Sequence, residues 1–249
     1  MRFLVKFLSE KEVPLPLNIR SFFISFIKKT FESEDKNFYR ILFENKKAKP
    51  YVFSPFFGKE FEKGKVGKDI SFIFSSGDFK VISNFWNGLI ILKKKKEDFI
   101  EIKNEKFYLR DIKLLPNKKI NSGRILLKTI GISVLSNPES SAKNFKEWYI
   151  IPERENMEKF NEILRKRTEE RIKFIEGIDR KINLKFLFSD NYENSINETI
   201  VPHYNGFVRG FRGIFILEGD IEVLQFLYDY GFGVRTGQGF GLLEIVKEL

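Results

Sequence analysis

The hydrophobic residues of this 249-residue chain change period several times, and the order of those changes restricts its topology more than any other feature. Phe3, Val5 and Phe7 alternate with Arg2, Leu4 and Lys6, the two-residue period of a strand with one buried face. Ile19, Phe22, Phe23, Phe26 and Ile27 then recur at helical spacing, with Pro14 and Pro16 marking the approach. Tyr51–Ser54 and Ile70–Ser75 return to short strands. A second helical stripe follows, made of Phe79, Ile82, Trp86, Leu89 and Ile90; Asp78 is placed to cap it, and Lys93–Lys96 close it where cations favour a helix C-terminus. Phe107–Leu115 reads as a strand, so the succession is β-α-β-β-α-β, that of a ferredoxin-like unit.

The polar, basic stretch Asn117–Ser122 reads as a linker, which predicts domains at 1–118 and 123–249. Past it the periods repeat. Arg124–Leu135 reads as a strand, and Met157–Glu176 as a helix with Met157, Phe160 and Leu164 beside a basic side of Arg165, Lys166, Arg167 and Arg171. Asn183–Phe188 and Gly206–Leu217 are expected strands. Asp220 is placed to cap a short helix that buries Ile221, Leu224, Leu227 and Tyr228, and Leu242–Val246 is the last strand. The fold class expected is α+β, two tandem ferredoxin-like domains with antiparallel sheets.

Composition narrows the chemistry. Hydrophobic residues at 42% are enough for packed cores, and 29 Phe residues imply that rings fill much of them, which excludes a disordered chain. The formal charge of +10 points to a polyanionic partner first and an acidic membrane surface second. With no Cys and one His, disulfides and thiolate metal sites are excluded, an imidazole-based zinc site is disfavoured, and no metal or cofactor is expected. The opening Met1–Leu8 is too short and too alternating for a signal-peptide core, and no apolar run approaches the ~20 residues of a membrane span, so a cytoplasmic location without membrane contact is expected.

Near the C-terminus Gly-Phe-Gly recurs across a five-residue spacer, from Gly231-Phe232-Gly233 to Gly239-Phe240-Gly241, with Arg235 and Gly237 between. Two readings stand side by side: a loop whose exposed amides cradle an anion, and a turn whose glycines serve the backbone alone. His203 is the one side chain whose unperturbed pKa suits proton transfer near neutrality. Arg209 and Arg212 flank Gly210 on an expected strand, where they serve either a polyanion or edge protection. No P-loop lysine motif accompanies the glycines, which weakens a third reading, a small module for a nucleotide or other phosphate.

The tandem halves, the basic charge, the terminal Gly-Phe-Gly-x5-Gly-Phe-Gly loop, the opening Met1-Arg2-Phe3-Leu4, Pro16 before the first helix and Lys49-Pro50-Tyr51-Val52-Phe53-Ser54 together resemble the CRISPR-associated repeat-processing endoribonucleases of the repeat-associated mysterious protein superfamily. The resemblance spans nearly the whole chain. It implies a metal-independent enzyme that binds CRISPR repeat RNA and cuts the precursor transcript into guide RNAs by 2′-hydroxyl attack, leaving a 2′,3′-cyclic phosphate. It implies Lys49 and Lys28 as catalytic residues, and Gly231, Gly233, Arg235, Gly237, Gly239, Gly241, Arg209 and Arg212 as RNA-binding residues. Further partners in this reading are other CRISPR effector-complex subunits and a second copy of the chain. The sequence departs from the family at two places: Phe43 stands where many relatives carry a catalytic His, and Lys28 at or near the position of a Tyr on the first helix, with Lys49 retained; a Phe transfers no proton. Tyr39 and His203 are substitutes to consider, and a noncatalytic repeat RNA-binding protein is the alternative.

Overall fold

The computed structural model describes residues 1–44, 48–56, 67–138, 143–189 and 195–249. The chain forms two compact units. The first comprises Met1–Asn117 together with Gly237–Gly239, a tripeptide that the sequence assigned to the second domain; the second comprises Lys118–Thr236 and Phe240–Leu249.

In the first unit β1 (Arg2–Val13) is followed by α1 (Arg20–Glu34), α2 (Lys36–Phe43), β2 (Val52–Pro55), β3 (Gly67–Ser75), α3 (Phe79–Lys95), β4 (Phe99–Ile102) and β5 (Glu105–Leu115). The five strands form one antiparallel sheet in the order β2-β3-β1-β5-β4. Without β4 and α2 this is the ferredoxin-like order, in which the first strand lies centrally between the third and the last. Alternation on β1 holds in part: Arg2 is buried and Leu4 is half-buried, but Lys6 is exposed while Phe3, Val5 and Phe7 are buried. They meet rings from α1, β3 and α3, among them Phe26 at 4.8 Å from Phe7, and Phe74 stacked 4.0 Å from Phe85. Aromatic burial and ring pairing therefore carry this core.

Three features of this unit differ from the sequence reading. A short helix, α2, was not anticipated; Asp35 starts it by accepting from the amides of Asn37 and Phe38. The hairpin β4–β5 was read as β5 alone; its two-residue turn, Lys103–Asn104, has positive φ at both positions, the twist-matched geometry of a tight hairpin. On α3 the expected stripe is rotated. Asp78 caps the helix, but Phe79 is 75% exposed and Trp86 and Ile90 also face outward, while Val81, Phe85 and Leu92 join Ile82 and Leu89 inside. Gly88 is the physical reason: it lies against the Thr30 carbonyl of α1, where a Cβ would collide, and that close approach turns Phe85 and Leu92 to the sheet.

The second unit runs β6 (Arg124–Ile130), α4 (Met157–Glu176), β7 (Leu184–Leu187), β8 (Asn197–His203), β9 (Gly206–Arg212), β10 (Ile214–Gly219), α5 (Ile221–Tyr230) and β11 (Leu242–Glu248). Its main sheet, β11-β6-β10-β7, is antiparallel and ferredoxin-like in order, and β8–β9 is a separate hairpin inserted between the second and third strands of the unit. The expected strand at 124–135 ends early because Gly131 takes φ 80°, after which Ser133 and Val134 make single bridges to Phe211 and Gly233. The expected strand at 206–217 is two strands divided at Gly213, where a Cβ would strike the Ser195 carbonyl. Asp220 does not cap α5; its carboxylate accepts from the Asn183 amide instead, and Ile221 is exposed while Val223 and Phe226 complete the buried face. Strand β7 lies at the sheet edge, and Asn161 of α4 covers part of it. The Asn161 amide accepts from Phe186 N–H at 2.6 Å and donates to Phe186 C=O at 3.2 Å, standing in for a neighbouring strand.

Candidate functional site

Several expected site residues meet within the first unit. Lys28 projects from the exposed side of α1, while Phe43 is the last residue of α2 and is partly buried against the core. Lys49 precedes β2, on a chain turned by Pro50. The Lys28 ammonium lies 5.6 Å from the centre of the Phe43 ring and the Lys49 ammonium 5.5 Å from it, both within cation–π range. Lys49 also donates to the Leu42 carbonyl. Burial, with a smaller contribution from the positive charge of Lys28, lowers the Lys49 pKa below that of an ordinary lysine. Two cations about one aromatic ring are an arrangement that an anion relieves, and a phosphate is well matched to it.

Tyr39 lies beside this group, its ring tilted against that of Phe43 with centres 5.1 Å apart. Gly237 and Gly239 belong to the same unit. A Cβ at Gly237 would fall 2.6 Å from Lys49 Cγ, so the glycine backbone lies flat on the lysine stem. At Gly239 the carbonyl accepts from Arg20 Nε at 3.2 Å. Sequence reasoning missed Arg20, because nothing local distinguishes it from the other polar residues of α1.

The remaining glycines lie in the second unit, and their setting corrects the cradle of exposed amides. Gly231, Gly233 and Gly241 are buried. The amide of Gly231 donates to Leu227, that of Phe232 to Gly241, that of Val234 to Val134 and that of Gly241 to Ile132, so these donors are committed to the fold. Gly233 and Gly241 have φ of 68° and 82°, and a Cβ on either would collide with a carbonyl. Beneath them Arg171 donates to the carbonyls of Tyr230 at 2.7 Å, Gly231 at 2.6 Å and Gly233 at 3.1 Å. Arg171 was expected on the basic side of the helix, opposite its apolar positions, and is 6% exposed. The sequence held a signal for this, since Arg171 follows Leu164 by seven residues and so shares its apolar face. Burial pushes its guanidinium down to about 10, against which three carbonyl dipoles favour the cation.

Arg235, with φ 60°, is exposed and its guanidinium carbon lies 6.0 Å from the Tyr149 ring centre. Arg209 and Arg212 lie on β9, the outer hairpin, rather than on the strand before α5. Arg209 is engaged by Glu198 through Nε at 2.8 Å and Nη2 at 3.0 Å, which raises the Arg209 pKa and lowers that of Glu198. Arg212, opposite Asn197, is exposed. His203 is buried, with Tyr204 and Phe240 edge-on at 4.5 and 5.2 Å, and belongs to the second unit, whereas the lysine group belongs to the first. Among the described residues no cluster of three or more His, Cys, Asp or Glu is arranged to hold a metal, and no helix is long and apolar enough to cross a membrane.

Comparison with known proteins agrees with this architecture. A chain at 27% identity, the putative CRISPR-associated endoribonuclease-like protein Cas6 of Pyrococcus furiosus, aligns over 72% of this chain and 69% of its own. The CRISPR-associated endoribonuclease Cas6 1 of Methanocaldococcus jannaschii is 26% identical over 70% of this chain, which spans 63% of that relative's length. Among solved structures, that of a Cas6-related gene product from Pyrococcus furiosus superposes with a TM-score of 0.82 at 22% identity, covering 100% of this chain and 99% of that one. A structure described as a RAMP protein binding different RNA substrates gives 0.78 at 22% identity, covering 99% and 100%. The family model for the C-terminal part of the CRISPR-associated protein Cas6 matches residues 115–245, more than half of the chain, and the chain therefore belongs to the Cas6 family.

Proposed function

We propose that this chain binds CRISPR repeat RNA and cleaves the precursor transcript into guide RNAs without a metal ion. The observation that carries the reading is the pair Lys28 and Lys49, held about the Phe43 ring in a family whose relatives are named endoribonucleases. In the reaction proposed, the 2′-oxygen upstream of the cut loses its proton to water and bonds to the adjacent phosphorus. The phosphorus–O5′ bond breaks, and O5′ takes a proton. Lys49 balances the charge that builds on the phosphorane oxygens, and Lys28, the more exposed of the two, protonates O5′. The products are a 2′,3′-cyclic phosphate and a 5′-hydroxyl. Arg235 and Arg212 supply further contacts to the RNA backbone, while the glycines support the loop's shape. The test is end-group analysis of repeat RNA incubated with excess protein in EDTA: a cyclic phosphate is expected, and its absence in single turnover overturns the enzyme reading.

Phe43 favours a second reading, a repeat RNA-binding protein that does not cut. By the resemblance Phe43 stands at the position of a His in many relatives, and its ring offers both lysines a cation–π partner but no proton acceptor. This reading predicts salt-sensitive repeat binding with no product. Cleavage that disappears in Lys49→Ala excludes it.

A further inference from the structure

The lysine stem, the glycine tripeptide and an arginine of α1 form a chain of contacts that the proposed reaction does not by itself require. We propose that Arg20 is a positioning residue: by holding the Gly239 carbonyl it presses Gly237–Gly239 onto the aliphatic stem of Lys49 and so fixes where the Lys49 ammonium stands. The inference rests on the reading of Lys49 as the phosphate-facing cation.

Four observations carry it. The Arg20 Nε–H donates to Gly239 C=O at 3.2 Å, a partner 219 positions away in sequence. A Cβ at Gly239 would lie 3.1 Å from Arg20 Cδ and from two ring atoms of Phe53, so the tripeptide is seated between α1 and β2. A Cβ at Gly237 would lie 2.6 Å from Lys49 Cγ, 3.0 Å from Lys49 Cβ and 3.4 Å from the Tyr51 hydroxyl, so only a glycine lets the backbone lie on that stem without displacing it. At the far end, Lys49 is tied to the Leu42 carbonyl and set over Phe43. Arg20 is itself partly buried, and burial brings its pKa down to about 10, so the side chain is poorly placed to serve as a solvent-facing phosphate contact. Covering the stem keeps water from Lys49, and burial together with Lys28 is what depresses its pKa; Arg20 is not among those causes. The tripeptide thus acts as a covering strap, with Arg20 as its fastening.

The experiment reads the titration of Lys49 in RNA-free protein by NMR of lysine side chains labelled at Cε, with the resonance assigned by its loss in Lys49→Arg. Three variants are compared with the wild type. Arg20→Met keeps the stem and loses the donor, Arg20→Gln keeps an N–H donor without the charge, and Gly237→Ala pushes on the lysine directly. The Lys49 midpoint is expected to move up toward the ordinary lysine value in Arg20→Met and Gly237→Ala, and to stay at its wild-type position in Arg20→Gln. A wild-type midpoint in Arg20→Met overturns the proposal, whatever Gly237→Ala shows. So does a midpoint in Arg20→Gln that matches Arg20→Met, because Arg20 would then act through its charge. If Arg20→Met does not fold, Arg20→Leu is read in its place, with the same two outcomes. Where repeat cleavage is observed, Arg20→Met should lower its single-turnover rate by ~10–100-fold and Arg20→Gln should restore it. The titration needs no RNA, so its failure is distinct from failure of the cleavage reading.

Discussion

Arg171 shows how one buried side chain in this protein can hold a glycine-rich loop from beneath. Its guanidinium satisfies three carbonyls, those of Tyr230, Gly231 and Gly233, and lies 5.4 Å from the Phe226 ring centre. Replacing it by methionine fills much of the volume but leaves those acceptors buried, at about 1–3 kcal/mol for each one that finds no other donor. Arg171→Met should therefore lose several kcal/mol in urea denaturation, and Arg171→Lys, with a single ammonium in place of the fork, should recover only part. Lys49 offers a test through pH. Its folded pKa lies below the unfolded value near 10.5, so the unfolded chain binds more protons between the two values and stability rises with pH across that window. Thermal midpoints of wild type and Lys49→Met, followed from neutral pH up to 10.5, should show the wild type gaining on the variant as Lys49 loses its proton. Parallel curves would mean that Lys49 is not desolvated.

At the scale of elements, most of what the sequence revealed came from long, strongly periodic segments. Met157–Glu176 reads as a helix and is α4, residue for residue, because Phe160, Leu164 and Ile172 repeat along one buried face and Gly177 ends it with φ 73°. What escaped was set by tertiary contact or by short elements. The rotation of α3 depends on Gly88 meeting Thr30, which no local pattern encodes. Of hairpin β8–β9, β9 was read as part of one longer strand and β8 was missed; its two-residue turn is Tyr204–Asn205, with Tyr204 at φ 52°, not a residue type that announces a tight turn. In the site, Lys28, Lys49 and Gly237 were legible through the resemblance, whereas Arg20 and Arg171 bond to carbonyls distant in sequence and leave no motif. Asn161 makes an element-level prediction. Asn161→Leu removes both bonds to Phe186 and uncovers part of the β7 edge, so the variant should lose about 2 kcal/mol or more and scatter light on concentration. Asn161→Asp keeps the acceptor and should fall between; a leucine variant as stable and as soluble as wild type would remove the edge-covering role.

For the molecule as a whole, the charge of +10 suits a long anionic partner, and the proposed chemistry is assigned to the lysine pair of the first unit. Binding to repeat RNA should weaken with salt. If Lys28 neutralises one phosphate, Lys28→Ala should reduce the log–log salt slope by roughly 0.7, the single-strand increment per phosphate, while Arg209→Ala should change it less because Glu198 already holds that guanidinium. The central claim is that Lys49 acts on the scissile phosphate without help from a metal. The measurement that meets it most directly is the single-turnover rate of repeat cleavage in EDTA for wild type and Lys49→Ala. A slow, EDTA-resistant rate is expected in the wild type, falling by ~100-fold or more in the variant with binding reduced far less. Equal rates in the two proteins, or cleavage that stops in EDTA, would contradict it.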